Sequence, residues 1–246
     1  TADKDGETQI RRVHPSAIRR DTSTSPVSLF YRCARVDPTI HRTRGGYGIQ
    51  LEAFGIKDAL AEALLIRTAS AILDEISREA IVVHVNSVGD RETAGRFLRE
   101  LALYYRRSAS ALAPCCRSRV PGGGLMSLLF CENEQCVDVR LQAPKSIGYL
   151  HDSHRKHLKE LFEYMEGMDI PYTIDDRLID EKVTFAATIV EFQSALGSDQ
   201  RAPRPFAYGG RYEGLGRRAG VRWPVNGVAL TVSLPTRTPF FKNPIH

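Results

Sequence analysis

The feature that most constrains the fold is the order of strand-like and helix-like hydrophobic patterns along the chain. In residues 47–54 (YGIQLEAF) apolar and polar residues alternate, which is typical of a strand with one buried face. Residues 58–76 and 152–168 instead carry apolar residues at helical spacing. Further strand candidates are residues 8–13, 26–36, 81–85, 171–175, 184–192, 205–208 and 227–234. Because strands without intervening helices close the chain, we predict an α+β fold with a mixed or antiparallel sheet flanked by helices.

One segment interrupts this order. Residues 107–146 contain a proline followed by three glycines and four of the chain's five cysteines, so we expect a small, loop-rich, cysteine-bearing insert. The helix before it is predicted over residues 91–106, with Asp90 as its N-cap and Thr93 in its first turn. We therefore divide the chain into a first part of the core, 1–106, the insert, 107–146, and a second part of the core, 147–246.

Composition places the chain among ordinary globular proteins. It has 246 residues, of which 42% are hydrophobic and 26% charged, so a packed core is expected and wholesale disorder is not. The sequence has no apolar run long enough to span a membrane and begins with a polar segment, which predicts a cytoplasmic protein without a membrane partner. The net charge of +5 suits an RNA partner, although scattered arginine pairs more often belong to a solvated surface than to a binding stripe.

Several short motifs, in order, resemble the catalytic core of the histidyl-tRNA synthetases, which are class II aminoacyl-tRNA synthetases. They are GIQLEAFGI at 48–56, VHVNSVGDRE at 83–92, CENEQC at 131–136 with QAPKSIGYL at 142–150, IPYTIDDRLI at 170–179, TIVEF at 188–192 and GGRYEGL at 209–215. The resemblance implies a six-stranded antiparallel sheet that binds ATP, Mg²⁺ and histidine, loads tRNA in protein biosynthesis, and forms a homodimer. It also implies that the family's first motif would precede Thr1 and that no anticodon-binding domain follows His246.

The resemblance also assigns site residues. GGRYEGL is similar to a glycine-bearing turn that forms one wall of the histidine pocket, and Glu52 ends the second class II motif. The implied substrate-binding residues are Glu52, Tyr208, Gly209, Gly210, Arg211 and Tyr212. An arginine of the second motif is expected near the α-phosphate of ATP. Arg32 and Arg35 both lie near that place; we take Arg35 as the catalytic candidate, its alternative role being an exposed strand arginine.

Other family positions depart from the pattern. The third motif's glutamate and arginine are replaced by Ser233 and Leu234, an expected arginine is Asp180, and a substrate-binding glutamate is Ser16. Each change removes a charge that adenylate formation uses. We therefore expect a histidyl-tRNA-synthetase-like protein with a degenerate site that binds histidine, a related small molecule or a nucleotide in a regulatory or structural role. The alternatives are a functional histidine–tRNA ligase and an RNA-binding module without chemistry.

The cysteines of the insert leave two possibilities open. Zinc accepts mixed thiolate and imidazole ligands, so Cys116, Cys131 and Cys136 with His154 or His151 are candidates for a structural zinc site. The spacing is also consistent with free thiols and surface histidines, because it matches no regular zinc motif.

Overall fold

The computed structural model describes residues 28–36, 46–54, 56–77, 79–121, 124–179, 187–195, 205–212 and 227–234. Its strands are β1 (Ser28–Val36), β2 (Gly46–Phe54), β3 (Ile81–Asn86), β4 (Tyr172–Ile174), β5 (Thr188–Ser194), β6 (Ala207–Tyr212) and β7 (Gly227–Leu234). Its helices are α1 (Leu60–Ile76), α2 (Arg91–Arg107), α3 (Pro114–Arg117), α4 (Leu125–Leu129), α5 (Glu134–Leu141) and α6 (Asp152–Gly167), with 3₁₀ turns at Ala109–Ala111 and Ser146–Tyr149.

All the described strands form one sheet in the order β1-β2-β7-β6-β5-β3-β4. Every neighbouring pair is antiparallel except β3 and β4, which are parallel. The predicted α+β fold with helices flanking the sheet is therefore confirmed, but the sheet has seven strands rather than the six antiparallel ones expected. The additional strand is β4. It follows α6 in the chain, lies at one edge of the sheet and runs parallel to β3.

Helices α1 and α6 cover one face of the sheet. Apolar residues of β2, β3, β5, β6 and β7 pack there against Leu65, Ile66 and Leu73 of α1 and Leu161 of α6. A second apolar cluster joins α2 to the short helices that follow it and reaches the sheet's other face at Ile189. The polar residues described below lie on that same face as Ile189.

Most elements lie where periodicity predicts them. The predicted segments 47–54, 58–76, 81–85, 91–106 and 227–234 correspond to β2, α1, β3, α2 and β7. Asp90 caps α2 as expected, since its carboxylate accepts a 2.7 Å hydrogen bond from the backbone N–H of Thr93. The predicted strand at 8–13 lies outside the described residues.

One prediction about local structure is wrong. Residues 209–212, predicted as a turn, lie in the extended strand β6, because both glycines pair with neighbouring strands. The insert, predicted to be rich in loops, also contains three short helices, α3, α4 and α5. Pro114 at the first position of α3 and Asn133 as the N-cap of α5 begin two of these helices. Among the described residues, no helix has the length and apolar character that a membrane span requires.

Replacing Gly95 with alanine should stabilise the protein. Gly95 lies inside α2, where glycine costs conformational entropy, and an added Cβ would meet only the Arg99 side chain, at 3.6 Å. We expect the free energy of unfolding to rise by about 0.5–1 kcal/mol, measured by urea denaturation. A loss of stability would mean that the surroundings of Gly95 are tighter than the structure shows.

Candidate functional site

A row of polar residues crosses the sheet on the face opposite α1 and α6. Strand pairing aligns Gln50, Thr231, Tyr208, Glu191 and His84 on five adjacent strands. Because side chains alternate between faces, the neighbouring row of Leu51, Leu230, Gly209, Val190 and Val85 lies on the core side, where all five residues are buried. By contrast, the residues of the polar row are half-buried or exposed. We call this row the polar row, and we call the face of the sheet that carries it the polar face.

Glu52 lies on this face, two residues along β2 from Gln50. The Gln50 amide donates a 2.6 Å hydrogen bond to Oε1 of Glu52. Across the sheet, Glu52 aligns with Ala229 and then Gly210, neither of which has a side chain larger than a methyl group. Glu52 also lies close enough to Tyr212 for its charge to add to burial in raising the pKa of that phenol. A carboxylate thus borders a region of the polar face that has few bulky side chains.

Gly209 and Gly210 make close strand pairing possible. A Cβ at Gly209 would lie 2.0 Å from the carbonyl oxygen of Ala229 in β7, and one at Gly210 would lie 2.0 Å from that of Thr188 in β5. No side chain fits at such distances, so both positions require glycine for the sheet itself. The predicted close approach of a ligand at these glycines remains a prediction.

Arg211 points to the core side and is buried against α1. Its Nε donates a 2.5 Å hydrogen bond to Oε1 of Glu62, and its Nη2 pairs with Oε2 of the same carboxylate. The remaining donors reach the carbonyl oxygens of Ile56 at 2.8 Å and Asp58 at 2.9 Å. Arg211 therefore joins β6 to the start of α1, and its predicted contact with substrate remains untested.

The partner of Arg211, Glu62, is fully buried and accepts further hydrogen bonds. His157 of α6 lies 2.7 Å from Oε1 of Glu62, and the Thr188 hydroxyl donates to the same oxygen from 3.2 Å. Burial raises the pKa of Glu62, but the hydrogen bonds from Arg211 and His157 outweigh it, so the pKa lies below its ordinary value. This carboxylate connects α1, α6, β5 and β6.

A second charged group lies at the β3 end of the polar row. Arg177 forms two side-chain hydrogen bonds with Asp175, at 2.9 and 2.8 Å, and Nδ1 of His84 lies 3.4 Å from Oδ2 of Asp175. Burial raises the pKa of Asp175, but the bonds from Arg177 outweigh it and the net pKa is lowered. The pKa of Glu191, which pairs with His84, is instead raised, because burial raises it more than the hydrogen bond from Gln193 lowers it.

The register of β1 bears on the predicted catalytic arginine. Arg32 pairs with Gln50 and therefore stands in line with the polar row, whereas Arg35 pairs with Tyr47, three residues along the strand. An odd separation along a strand places two residues on opposite faces. Strand pairing thus sets Arg32, rather than Arg35, in register with the polar row. The catalytic role of either arginine stays a prediction, because both side chains lie outside the described part of the structure.

The described residues cover the degenerate positions only in part. Ser233 is exposed and stands in β7 two residues after Thr231, on the same face. Ser16, Asp180 and the side chain of Leu234 lie outside the described residues. Ser233, the residue that the resemblance aligns with the third motif's glutamate, therefore lies on the polar face, and the loss of a charge there stays a prediction.

Three cysteines of the insert come together. The Sγ atoms of Cys116, Cys131 and Cys136 all lie within 4.8 Å of one another. The thiol of Cys116 donates to Sγ of Cys131 at 3.1 Å, and the backbone N–H of Ala113 donates to Sγ of Cys136 at 3.4 Å. Cys115 is exposed, with its Sγ 3.9 Å from that of Cys116. We call Cys116, Cys131 and Cys136 the cysteine trio.

His154, predicted as the fourth ligand, is not part of this group. It lies near Asp90, whose pKa is lowered partly by its charge, just before α2 begins. The cysteine trio lies near Tyr105, close to the end of α2. At a rise of about 1.5 Å per residue, Asp90 and Tyr105 are about 22 Å apart. Among the described residues, the group of ligand atoms that lie close together contains the three sulfur atoms and does not include His154.

The buried Glu62 and its partners were missed by sequence reasoning. Glu62 follows the apolar start of α1 and reads as an ordinary acidic residue in a helix's first turn. Its partners Arg211 and Thr188 lie more than a hundred residues further along the chain. The only sequence signal is the position of Glu62 among residues at helical spacing that are otherwise apolar, which places it toward the core.

Comparison with known proteins places this architecture in a family. No family profile matches the chain, but curated relatives do. A histidine–tRNA ligase of Dehalococcoides mccartyi is 30% identical over 202 residues, or 81% of this chain and 47% of the relative. One from Halothermothrix orenii is 29% identical over 198 residues, or 80% of this chain and 46% of the relative. The chain thus spans about half the length of the curated relatives it matches.

Solved structures agree on the fold. The histidyl-tRNA synthetase of S. aureus aligns with a TM-score of 0.55 and 18% identity, covering 84% of this chain and 47% of that one. That of a Nostoc species aligns with a TM-score of 0.54 and 12% identity, covering 86% and 53%. In sequence the chain is similar to histidine–tRNA ligases over about four fifths of its length, and it has the fold of the class II catalytic core of histidyl-tRNA synthetases.

Proposed function

We propose that this protein binds histidine, or a closely related amine, on the polar face and acts in a regulatory or structural role rather than as a ligase. The observation that carries the proposal is the carboxylate of Glu52, set beside Gln50 and next to the small residues Ala229 and Gly210. A carboxylate with an adjacent amide is suited to an ammonium group, which donates hydrogen bonds and carries positive charge.

The charges on this face support binding more than adenylate formation. Phosphate chemistry requires cations placed around the reacting oxygens. Among the residues with described side chains, Arg177 pairs with Asp175 near the β3 end of the face, and Arg211 lies on the core side with Glu62. The resemblance to the family implies that Ser233 occupies the position of a charged residue.

Histidine should therefore raise the melting temperature of the full chain, because a ligand that binds only the folded state stabilises it by mass action.

We expect Glu52→Gln to weaken histidine binding at least about tenfold, in line with loss of a charged hydrogen bond. Glu163→Gln, on the exposed surface of α6, removes a carboxylate elsewhere and should bind like the unmodified protein. Isothermal calorimetry measures the affinities; no binding at millimolar histidine, or equal binding by both variants, contradicts the proposal.

One observation favours the second candidate, a histidine–tRNA ligase that uses ATP and Mg²⁺. Arg32 stands in line with the polar row, where an arginine is able to meet the α-phosphate of ATP. The curated relatives are named histidine–tRNA ligases. Histidine-dependent exchange of pyrophosphate into ATP tests this candidate, and exchange that disappears in Arg32→Gln would replace our proposal with it.

Other expected partners and cofactors accompany either function. As a ligase the protein would also bind tRNA; in both cases we propose a cytoplasmic homodimer by analogy with the family. A structural zinc ion at the cysteine trio is compatible with both functions.

A further inference from the structure

We propose that the cysteine trio binds one zinc ion, without His154 and without Cys115. The three sulfur atoms come from separate parts of the insert: Cys116 from α3, Cys131 from the loop after α4, and Cys136 from α5. Cys116 and Cys136 are buried and Cys131 is half-buried, and none of the three forms a disulfide. A cluster of three buried or half-buried thiols from three segments is typical of a metal site.

The distances suit tetrahedral coordination. Zinc–sulfur bonds of about 2.3 Å at tetrahedral angles place neighbouring sulfur atoms about 3.8 Å apart. The trio already lies within 4.8 Å, with Cys116 and Cys131 at 3.1 Å, so shifts of about an ångström in side-chain position bring the three sulfur atoms to tetrahedral spacing and leave the fourth coordination position for water. Zinc binding would release the thiol protons, since the thiolate is the ligand.

Donor groups lie beside two of the three sulfur atoms. The backbone N–H of Ala113 donates to Sγ of Cys136 at 3.4 Å, and the backbone of Asn133 lies beside the sulfur of Cys131. Arg140 donates to the carbonyl oxygen of Cys131 from 3.1 Å, and Arg119 adds positive charge nearby. Backbone donors and cations around a sulfur stabilise its negative charge and orient it toward a metal.

A bound ion would explain how the insert keeps its shape. Helices α3, α4 and α5 have four, five and eight residues, too short to be stable by themselves. An ion held by two of these helices and the loop between them links these pieces through coordinate bonds. Cys116 and Cys136 also belong to the apolar cluster that includes Phe97, Leu101 and Tyr105 of α2, so the ion would attach the insert to the core.

Metal content of the full chain, purified under reducing conditions in the presence of zinc, tests the proposal. We expect one zinc ion per chain by mass spectrometry of the metal, and a thiolate-to-cobalt charge-transfer band after exchange with Co²⁺. Cys131→Ser should lose more than nine tenths of the zinc, and a chelator should lower the melting temperature of the unmodified protein.

Two matched variants serve as controls. Cys33→Ser makes the same change in β1 at the far edge of the sheet, and Cys115→Ser makes it next to the trio; both should keep their zinc. Unmodified protein that folds without zinc or cobalt binding, or that forms a Cys116–Cys131 disulfide in the presence of zinc and reductant, would overturn the proposal. So would loss of zinc in Cys115→Ser as large as in Cys131→Ser. If Cys131→Ser fails to fold, the cobalt spectrum of the unmodified chain still decides the matter.

Discussion

Replacing Arg211 with methionine should destabilise the protein by about 3–5 kcal/mol, the usual cost of removing one partner from a buried ion pair. The change keeps a long apolar side chain but removes every donor that reaches Glu62 from β6. The Glu62 carboxylate would stay buried with only His157 and Thr188 as partners, and the carbonyl oxygens of Ile56 and Asp58 would also lose a donor. Urea denaturation of both proteins measures the difference.

Two further variants separate this explanation from general loss of packing. Arg177→Met removes another arginine from a carboxylate pair, but its side chain is 43% exposed, so we expect a cost of about 1 kcal/mol or less. The double variant Glu62→Leu with Arg211→Met removes the stranded charge and should be more stable than Arg211→Met alone. If the double variant is the less stable of the two, burial of an unpaired carboxylate is not the cause.

The same pair predicts how stability depends on pH. The pKa of Glu62 is lower in the folded protein than its ordinary value of 4.5, so the folded state favours the ionised form. The resulting stability is present above pH 4.5 and is lost as the pH falls through the folded pKa. The difference in stability between the unmodified protein and Arg211→Met should therefore be largest near neutral pH and become smaller in acid.

Local sequence pattern was sufficient to predict most of the sheet and both long helices of the core. Strand β2 alternates between a buried Leu51 and a half-buried Glu52, and α1 repeats its apolar residues at helical spacing. Such periodicities reflect one-sided burial, which acts within a few residues and is therefore visible in a short window. The N-cap at Asp90 was predictable for the same reason, because its partner is only three residues away.

Features that depend on distant residues were not predictable in this way. GGRYEGL was predicted as a turn because it resembles a glycine-bearing turn of the histidyl-tRNA synthetases, yet the pairing of β6 with β5 and β7 keeps residues 209–212 extended. Likewise, sequence could not choose between Arg32 and Arg35, since the choice depends on how β1 aligns with β2. His154 lies within twenty residues of Cys136 in the chain, but its ring does not lie in the group that the three sulfur atoms form.

Gly209→Ala should cost at least about 3 kcal/mol, the upper end of the usual cost of adding atoms to a packed interior. The added Cβ would lie 2.0 Å from the carbonyl oxygen of Ala229 and 2.8 Å from the Cα of Leu230, both in β7. These are backbone atoms, so relief requires β6 and β7 to move apart and lose hydrogen bonds between them. Thermal and urea denaturation should both show the loss.

Gly148→Ala is the matched control, because nothing lies within 4 Å of an added Cβ there and its effect should stay within about 0.5 kcal/mol. The comparison also separates two roles for the glycine pair of β6. If Gly209 serves only to let a ligand approach, Gly209→Ala will fold with nearly normal stability and lose histidine binding alone. If Gly209 serves strand pairing, the free energy of unfolding of Gly209→Ala will fall. Histidine binding will then decrease only because less of the protein is folded.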